Sequence, residues 1–205
     1  LLHAGFGYLT TPGGKIVPTL NHRRAWLDLT KDKQEYWRLK KRAKDISRLL
    51  RNGKFTEGKL SLRVNTNYER AIKLLGDHHT DSWVGPRLTK VWKEMWSNKQ
   101  MIIFELWYGE KLIGADVAHV VGRCVYVATR FFVNSYRKLQ PGFLLALVET
   151  RYLKDAGFAK WDLGGTDSSP MMSYKSVISH EIGRPAFLHE FRSVRNQIAP
   201  EVKTG

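Results

Sequence analysis

This sequence has little cysteine and no long apolar run. Its 205 residues contain one cysteine, Cys124, so an internal disulfide and a zinc site built from several cysteines are both excluded. No run of about 18 apolar residues occurs, which excludes a membrane-spanning helix. The first residues also lack the basic and apolar segments of a secretory signal. We therefore expect a protein that is not secreted and works in a reducing compartment, the cytoplasm or an organelle matrix.

Acidic residues are scarce relative to basic ones. Lys and Arg total 34 against 19 for Asp and Glu, which gives a formal net charge of +15. Hydrophobic residues nevertheless make up 42% of the chain, enough to bury a core, so the sequence is not a disordered basic tail. A folded domain of this charge needs an anionic partner, and the candidates are a nucleic acid, an anionic membrane surface or an acidic protein.

The positive charge is concentrated between residues 31 and 63, where twelve basic residues accompany four acidic ones. A buried helical stripe is predicted there by apolar residues at steps of four, three and four: Leu39, Ala43, Ile46 and Leu50. Another stripe of the same helix carries cations: Lys41, Lys44, Arg48 and Arg51. Because like charges at this spacing repel, the row does not stabilise the helix. It indicates either an RNA phosphate-binding face or an ordinary solvated face.

The order of predicted elements indicates an α+β fold. Periodicity predicts these elements in the second half of the chain: a helix over 86–97, strands over 101–107, 112–121 and 124–132, a helix over 141–156, and strands over 160–163 and 185–191. The loop after residue 76 predicts a boundary between a small N-terminal domain over 1–76, with the basic helix, and a second domain over 77–205. A mostly antiparallel sheet with one crossover helix is expected in the second domain.

The helix–strand unit between residues 131 and 165 resembles the core of the GNAT acyltransferase superfamily. In that superfamily the loop before the helix binds a pyrophosphate through backbone N–H groups, and it carries an Arg/Gln-x-x-Gly-x-Gly/Ala pattern. The corresponding loop here runs from Arg137 to Gly142, and only its first and last positions match. Pro141 also removes one N–H group from the helix start. The loop therefore departs from a standard acetyl-CoA site.

Several segments together resemble a narrower family, the leucyl/phenylalanyl-tRNA–protein transferases. The segment IIFELWYGEKLIG at 102–114 resembles the family pattern S-V-E-[VL]-W-x-G-x-L-V-G-G. The segment EIGRPAFL at 181–188 resembles E-I-P-R-x-x-[FY]-L, and residues 160–162 resemble the step into the family's catalytic strand. These segments keep the family's order and spacing over residues 5–188.

This resemblance implies a reaction and a set of site residues. The family has a small N-terminal domain and a GNAT-like acyltransferase domain. It moves an amino acid from a charged tRNA to the α-amino group of a protein, with no metal and no cofactor. Asp162 takes the position of the catalytic aspartate, and Lys44, Arg48 and Arg51 take positions of tRNA-binding cations. Four further positions are implied to form an aminoacyl-adenosine pocket: Trp107, Thr129, Phe131 and Gly164.

Two of these positions depart from the family pattern. Gly164 replaces a glutamine, which would orient the aspartate, and Thr129 replaces an acidic residue. An aminoacyl ester is already activated, so its transfer needs a carboxylate that helps to remove the proton of the attacking amine. Asp162 suits that role, but it equally suits a structural cap of the following turn. Trp107 likewise suits either a stacking surface for a base or the hydrophobic core.

Three functions are compatible with these features. The first is an aminoacyl-tRNA–protein transferase, whose partners are charged tRNA and the N-terminus of an acceptor protein. The second is a non-catalytic RNA-binding subunit of a ribonucleoprotein or other large assembly, for example an organellar ribosome, that kept the fold without the reaction. The third, with the weakest support, is an acetyl-CoA N-acetyltransferase.

Overall fold

A seven-stranded sheet forms the centre of the structure, a computed structural model that describes residues 1–31, 59–78, 83–166 and 173–203 together with Lys44 and Arg48. The strands described are β1 (Gly7–Thr10), β2 (Ile16–Thr19), β3 (Arg23–Asp28), β4 (Leu60–Val64), β5 (Met101–Tyr108), β6 (Lys111–Val121), β7 (Cys124–Phe132), β8 (Lys160–Gly165) and β9 (His180–Gly183). The sheet order is β4-β5-β6-β7-β8-β3-β9, while β1 and β2 pair separately as a hairpin. Among the described strand pairs, β7–β8 is parallel and the others are antiparallel.

Helices cover both faces of this sheet. The described helices are α1 (Tyr68–His78), α2 (Pro86–Ser97), α3 (Pro141–Asp155), α4 (Ser173–Ile178) and α5 (Arg184–Val194), with 3-10 turns at Leu2–Ala4 and Asn134–Leu139. Strand β5 shows how the core divides, because its side chains alternate between the faces. Phe104 and Leu106 pack in the cluster that contains α3, whereas Ile103 and Trp107 pack in the cluster that contains α1 and α2. The expected α+β fold, with a mostly antiparallel sheet and a crossover helix, is confirmed.

Strands from the N-terminal part of the chain are built into the same sheet. Strand β3 lies between β8 and β9, and β4 pairs with β5. The expectation of a separate small domain over residues 1–76 is therefore not confirmed. In the part of the chain that the structure describes, no helix is long and apolar enough to cross a bilayer.

The predicted strand over residues 185–191 is wrong, because this segment lies in helix α5. Pro185 stands in the first turn, where its missing N–H costs no helical hydrogen bond. Phe187, Phe191 and Val194 are buried, and their steps of four and three are those of a helix face. The preceding strand, β9, ends at Gly183.

Strands β7 and β8 separate after a short paired stretch. Their register runs from the pair Cys124–Lys160 to the pair Tyr126–Asp162. Beyond it, β7 continues along β6 to Phe132, while β8 continues along β3 to Gly165. The two strands therefore diverge just after Asp162, and the candidate site lies at this divergence.

Candidate active site at the diverging strands

Asp162 is buried at the divergence and is held by Arg24 of β3. The Nε of Arg24 donates to both carboxylate oxygens at 3.1 Å, and its Nη2 donates to Oδ2 at 2.6 Å. The backbone N–H of Gly164 donates to Oδ1 at 2.8 Å. The lone pairs of the Asp162 carboxylate already accept these hydrogen bonds. Asp162 can therefore accept a proton only after the ion pair with Arg24 opens.

Arg24 itself sits among aromatic rings. Its guanidinium carbon lies 4.6 Å from the centroid of Phe187 and 5.3 Å from that of Tyr126. Burial alone would lower the pKa of Arg24, but the charge of Asp162 outweighs it and raises the pKa above its ordinary value. The pair is thus a desolvated ion pair, whose two members depend on each other.

The phenol of Tyr126 and the ammonium group of Lys175 both lie close to Gly164. Its φ of +78° is left-handed, and a Cβ built there would lie 3.9 Å from both the Nζ of Lys175 and the Oη of Tyr126. Lys175, on α4, is 6% exposed and donates to the carbonyl oxygen of Gly165 at 2.6 Å. Burial, with a contribution from Asp162, raises the pKa of Tyr126 to about 12, so this phenol keeps its proton at neutral pH.

The β1–β2 hairpin packs over this site. The hydroxyl of Tyr8 accepts a hydrogen bond from the indole N–H of Trp92 at 2.7 Å and is hydrogen-bonded to the Nε2 of His119. Burial lowers the pKa of His119 to about 3, so its ring is neutral, and the ring stacks on Tyr126. A Cβ on Gly7 would lie 3.2 Å from the Oη of Tyr126, so the hairpin backbone closes directly on that phenol.

A second buried charge cluster lies on the α3 face of the sheet. The guanidinium of Arg130 contacts Asp116 at 2.5 Å and Glu149 at 3.0 Å, and it donates to the carbonyl oxygen of Gly142 at 2.9 Å. Burial raises the pKa of Glu149 well above its usual range, and the neighbouring Asp116 raises it further. This cluster ties β6 and β7 to the start of α3.

The start of α3 offers few backbone donors. Pro141 has no N–H, and the N–H groups of Phe143 and Leu144 both donate to the carbonyl oxygen of Gln140, at 2.9 and 3.1 Å. Gln140 is left-handed, with a φ of +51°. At most the N–H of Gly142 is left in the first turn for a ligand.

The structure separates the positions expected to form one pocket. Asp162 and Gly164 lie together, whereas Trp107 on β5 is three strands away, about 14 Å at the usual strand spacing. Trp107 is buried in the α1–α2 cluster, which also contains Phe131, and the guanidinium groups of Arg63 and Arg70 lie 4.4 and 4.6 Å from its ring centroid. Thr129, half-buried on β7, lies in the stretch that has left β8.

The basic helix is described only at Lys44 and Arg48. Both residues are helical and exposed, four positions apart and so on one face. Lys41 and Arg51, the other predicted RNA-binding cations, lie outside the described residues. No cluster of three or more His, Cys, Asp or Glu side chains suited to a metal ion occurs within the described ranges.

The sequence reasoning missed Arg24, Tyr126 and Lys175. Arg24 is identifiable from the sequence, because a charged residue in an apolar strand, next to Ala25 and Trp26, needs a buried counter-charge. Tyr126 reads as an ordinary strand aromatic, and Lys175 as one of many basic residues. Their meeting over Gly164 depends on tertiary structure.

Comparisons with known proteins place this arrangement in context. Residues 40–176, more than half of the chain, match the family model described as "Acetyltransferase (GNAT) domain". No curated protein matches the sequence. Among solved structures, a C-terminal domain assigned to a lysylphosphatidylglycerol synthetase from Agrobacterium fabrum is similar over 89% of this chain, with a TM-score of 0.54 and 13% identity. FemX is similar over 83% of the chain, with a TM-score of 0.57 and 10% identity.

The chain covers 67% of the first of these structures and 64% of the second, so it spans about two thirds of their length. Likeness at these identities shows the fold alone.

Proposed function

The chain belongs to the acetyltransferase (GNAT) domain family, and we propose that it transfers an amino acid from a charged tRNA to the N-terminal amine of a protein. The observation that carries this proposal is the start of α3. A donor such as acetyl-CoA is held by its pyrophosphate, which needs several backbone N–H groups at a helix start. Pro141 supplies none, and those of Phe143 and Leu144 are engaged with Gln140. The residues present do not fit the pyrophosphate.

A donor held through a polyanion fits the charge of this chain. The net charge is +15, and Lys44 and Arg48 are exposed on one face of the basic helix, between the predicted cations Lys41 and Arg51. Cations spaced along a helix bind successive phosphates without reading bases. The similar Agrobacterium fabrum domain is named for a product that joins lysine to a lipid, which supports aminoacyl chemistry on this fold.

The proposed reaction is the aminolysis of an ester. A neutral amine attacks the aminoacyl carbonyl carbon and a tetrahedral intermediate forms. The carbon–oxygen bond to the terminal ribose then breaks, and the amine proton ends on the ribose oxygen. We place this step where β7 and β8 diverge, beside Asp162 and Gly164. Asp162 fixes the end of β8 through Arg24 and the Gly164 N–H, and it acts as a base only after that ion pair opens.

A transfer assay tests the proposal directly. Charged tRNAs with labelled amino acids are incubated with the protein and a peptide that has a free N-terminal amine, and an N-acetylated copy of the peptide is the control. We expect label only in the peptide with the free amine. Transfer of acetyl from acetyl-CoA, without any aminoacyl transfer, contradicts the proposal.

Binding of the donor is tested by charge reversal on the basic helix. Replacing Lys44 and Arg48 by Glu should weaken tRNA binding for all sequences and reduce the slope of log affinity against log salt by about two. The matched control is Arg87→Glu with Lys90→Glu, two exposed residues of α2 with the same charge change. Equal affinity of the two double variants would show that the helix face is merely solvated.

The engagement of Asp162 by Arg24 favours one second candidate, a non-catalytic RNA-binding subunit. A buried ion pair has a structural role, and a scaffold keeps that role even when it no longer catalyses the reaction. Copurification separates the two candidates. A chain found in stoichiometric amounts in a ribonucleoprotein, and inactive with every charged tRNA, supports the second.

A further inference from the structure

Two arginines lie over the indole of Trp107, three strands away from β8, and the candidate active site uses neither of them. Arg63 is on the edge strand β4 and Arg70 is on α1. We propose that their guanidinium groups, with two neighbouring lysines, form a surface that binds the phosphate backbone of RNA. The identity of this ligand rests on the proposed function, in which a tRNA carries the donor amino acid.

The indole beneath the two arginines is held in a fixed orientation. Its N–H donates to the Oε2 of Glu105 at 3.1 Å. The buried carboxylate of Glu105 also accepts hydrogen bonds from the backbone N–H groups of Thr66 and Asn67, at 2.8 and 2.9 Å, just before α1 begins. One carboxylate therefore fixes both the ring and the start of the helix that carries Arg70.

Both guanidinium groups keep most of their hydrogen-bond donors. The Nη2 of Arg70 donates to the carbonyl oxygen of Glu110 at 3.1 Å, and the Nη2 of Arg63 lies 3.9 Å from a carboxylate oxygen of the same residue. No other hydrogen bond or ion pair joins either guanidinium to the described residues. A guanidinium has five N–H donors in one plane, so packing against a ring face leaves them for a phosphate, which they bind in pairs. The side chain of Arg63 is 36% exposed and Arg70 is exposed, so both reach solvent.

Two exposed lysines add positive charge at the same corner of the sheet. Lys59 precedes β4, and its carbonyl oxygen accepts a hydrogen bond from the N–H of Gly109 in the β5–β6 turn at 2.8 Å. Lys111 follows Glu110 in that turn. Neither lysine forms an ion pair with a side chain in the described part of the chain. The β4–α1 surface, made of Lys59, Arg63, Arg70 and Lys111, thus holds four cations around one carboxylate, which leaves a formal charge of +3. Like charges gathered in this way repel, so they do not stabilise the fold.

An extended polyanion fits the β4–α1 surface better than a lipid bilayer does. A protein that binds at a bilayer surface inserts apolar side chains there. The large hydrophobic side chains that are exposed in the described part of the chain lie on other elements: Leu1, Leu9, Leu20, Val91 and Ile198. The basic segment over residues 31–58 also leads directly into Lys59 in the sequence, so further cations adjoin this surface along the chain. Cations spaced in this way contact successive phosphates without reading bases.

Binding of uncharged tRNA tests the inference without any transfer. Fluorescence anisotropy measures the affinity for a labelled tRNA and for an unrelated RNA of the same length at several salt concentrations. Arg63→Gln with Arg70→Gln should weaken the binding of both RNAs by about tenfold or more, and it should reduce the slope of log affinity against log salt by about two. The matched control is Arg151→Gln with Arg192→Gln, two exposed arginines on α3 and α5, which should keep the wild-type affinity.

Glu110→Gln tests the surface in the opposite direction, with a change that loss of folding cannot imitate. This carboxylate is 92% exposed beside Arg63, so its removal should tighten RNA binding about two- to fivefold. Asp155→Asn, exposed on α3, should not tighten it. Equal affinities for the glutamine double variant and its control, or no gain in Glu110→Gln, overturn the inference. Displacement of the RNA by polyglutamate at equal charge also overturns it, since an acidic protein would then fit the surface as well.

These outcomes separate the surface from the proposed reaction. If the wild type binds RNA through Arg63 and Arg70 but transfers no amino acid, the proposed function fails and the RNA-binding surface stands. If the wild type transfers an amino acid while the glutamine double variant keeps the wild-type affinity for tRNA, the proposed function stands and the inference fails.

Discussion

Arg24 and Asp162 form a buried ion pair, so a substitution of Asp162 changes the stability of the fold as well as any catalysis. Both side chains are almost fully buried, so removing one leaves a charge in a desolvated site. An inactive Asp162 variant therefore reports catalysis only if its folded fraction is known. Asp162→Asn, which keeps the shape, is a better probe of the chemistry than Asp162→Ala.

We predict that Asp162→Ala lowers the free energy of unfolding by about 3–5 kcal/mol, because Arg24 is left buried without its carboxylate. The double variant Arg24→Met with Asp162→Leu should recover most of that loss, since it removes both charges and keeps the volume. Urea denaturation measures both values. Asp155→Ala, an exposed substitution, is the control. A double variant no more stable than Asp162→Ala would show that the pair is not the cause.

For single residues, the sequence identifies a candidate side chain but not the distant side chain that pairs with it. Asp162 is identified by the motif at the end of its strand, but Arg24 lies 138 residues away. Periodicity describes only local spacing, so it carries no information about which distant side chain will meet a carboxylate. The same limit explains why Lys175 and Tyr126, brought to Gly164 from α4 and β7, were missed.

Among the elements, the β1–β2 hairpin contacts the rest of the fold through the ring and hydroxyl of Tyr8 and through Ile16. Tyr8 holds Trp92 of α2 and His119 of β6 together, and Gly7 lies against Tyr126. The hairpin therefore covers the side of the candidate site that faces α2.

Tyr8→Phe should loosen the hairpin while leaving the large sheet intact. The change removes the acceptor of the Trp92 N–H and the partner of His119, and each buried polar group left unsatisfied costs about 1–3 kcal/mol. Hydrogen exchange of the backbone amides in β1 and β2 should speed up by tenfold or more, with β5 and β6 unaffected. Tyr136→Phe, in the 3-10 turn before α3, is the control. Unchanged exchange in β1 would contradict this role.

The sequence predicts helices and strands correctly where several local signals agree. Residues 86–97 and 124–132 are found with their observed bounds, because strong periodicity and turn residues agree there. Residues 185–191 are misassigned as a strand because a short apolar run is ambiguous between strand and helix. Burial of Phe187 and Phe191 against Trp26 of β3 selects the helix, and that partner is not visible locally.

For the molecule as a whole, a charge cluster of the buried Lys160 and Asp28 with the half-buried Glu190 links stability to pH. Lys160 Nζ lies 2.7 Å from an oxygen of each carboxylate. Burial alone would raise the pKa of Asp28, but hydrogen bonds from Lys160 and Thr30 outweigh it and lower the pKa from 3.8 to about 2. Asp28 thus stabilises the fold above its unfolded pKa, and this contribution is lost as the pH falls through its folded pKa.

We predict that the wild type loses about 2 kcal/mol of stability between pH 4 and pH 2 on account of Asp28. In Asp28→Asn this part of the loss should be absent, so its stability should fall less steeply with acid. Denaturation by urea at several pH values measures the slope. Asp155→Asn, exposed on α3, should keep the wild-type slope. Equal slopes for all three proteins would disprove the assignment to Asp28.

The position of β3 in the sheet has a consequence for how the chain is made. A ribosome releases β3 long before β8 and β9, its two neighbours in the sheet, which are encoded more than 100 residues later. Until they emerge, both edges of β3 lack their partners, and the charge of Arg24 has no Asp162 to meet. Pairing over such separations is slow to form. A nascent chain stalled before residue 160 therefore carries the apolar strand segment Ala25-Trp26-Leu27 without either of its sheet partners.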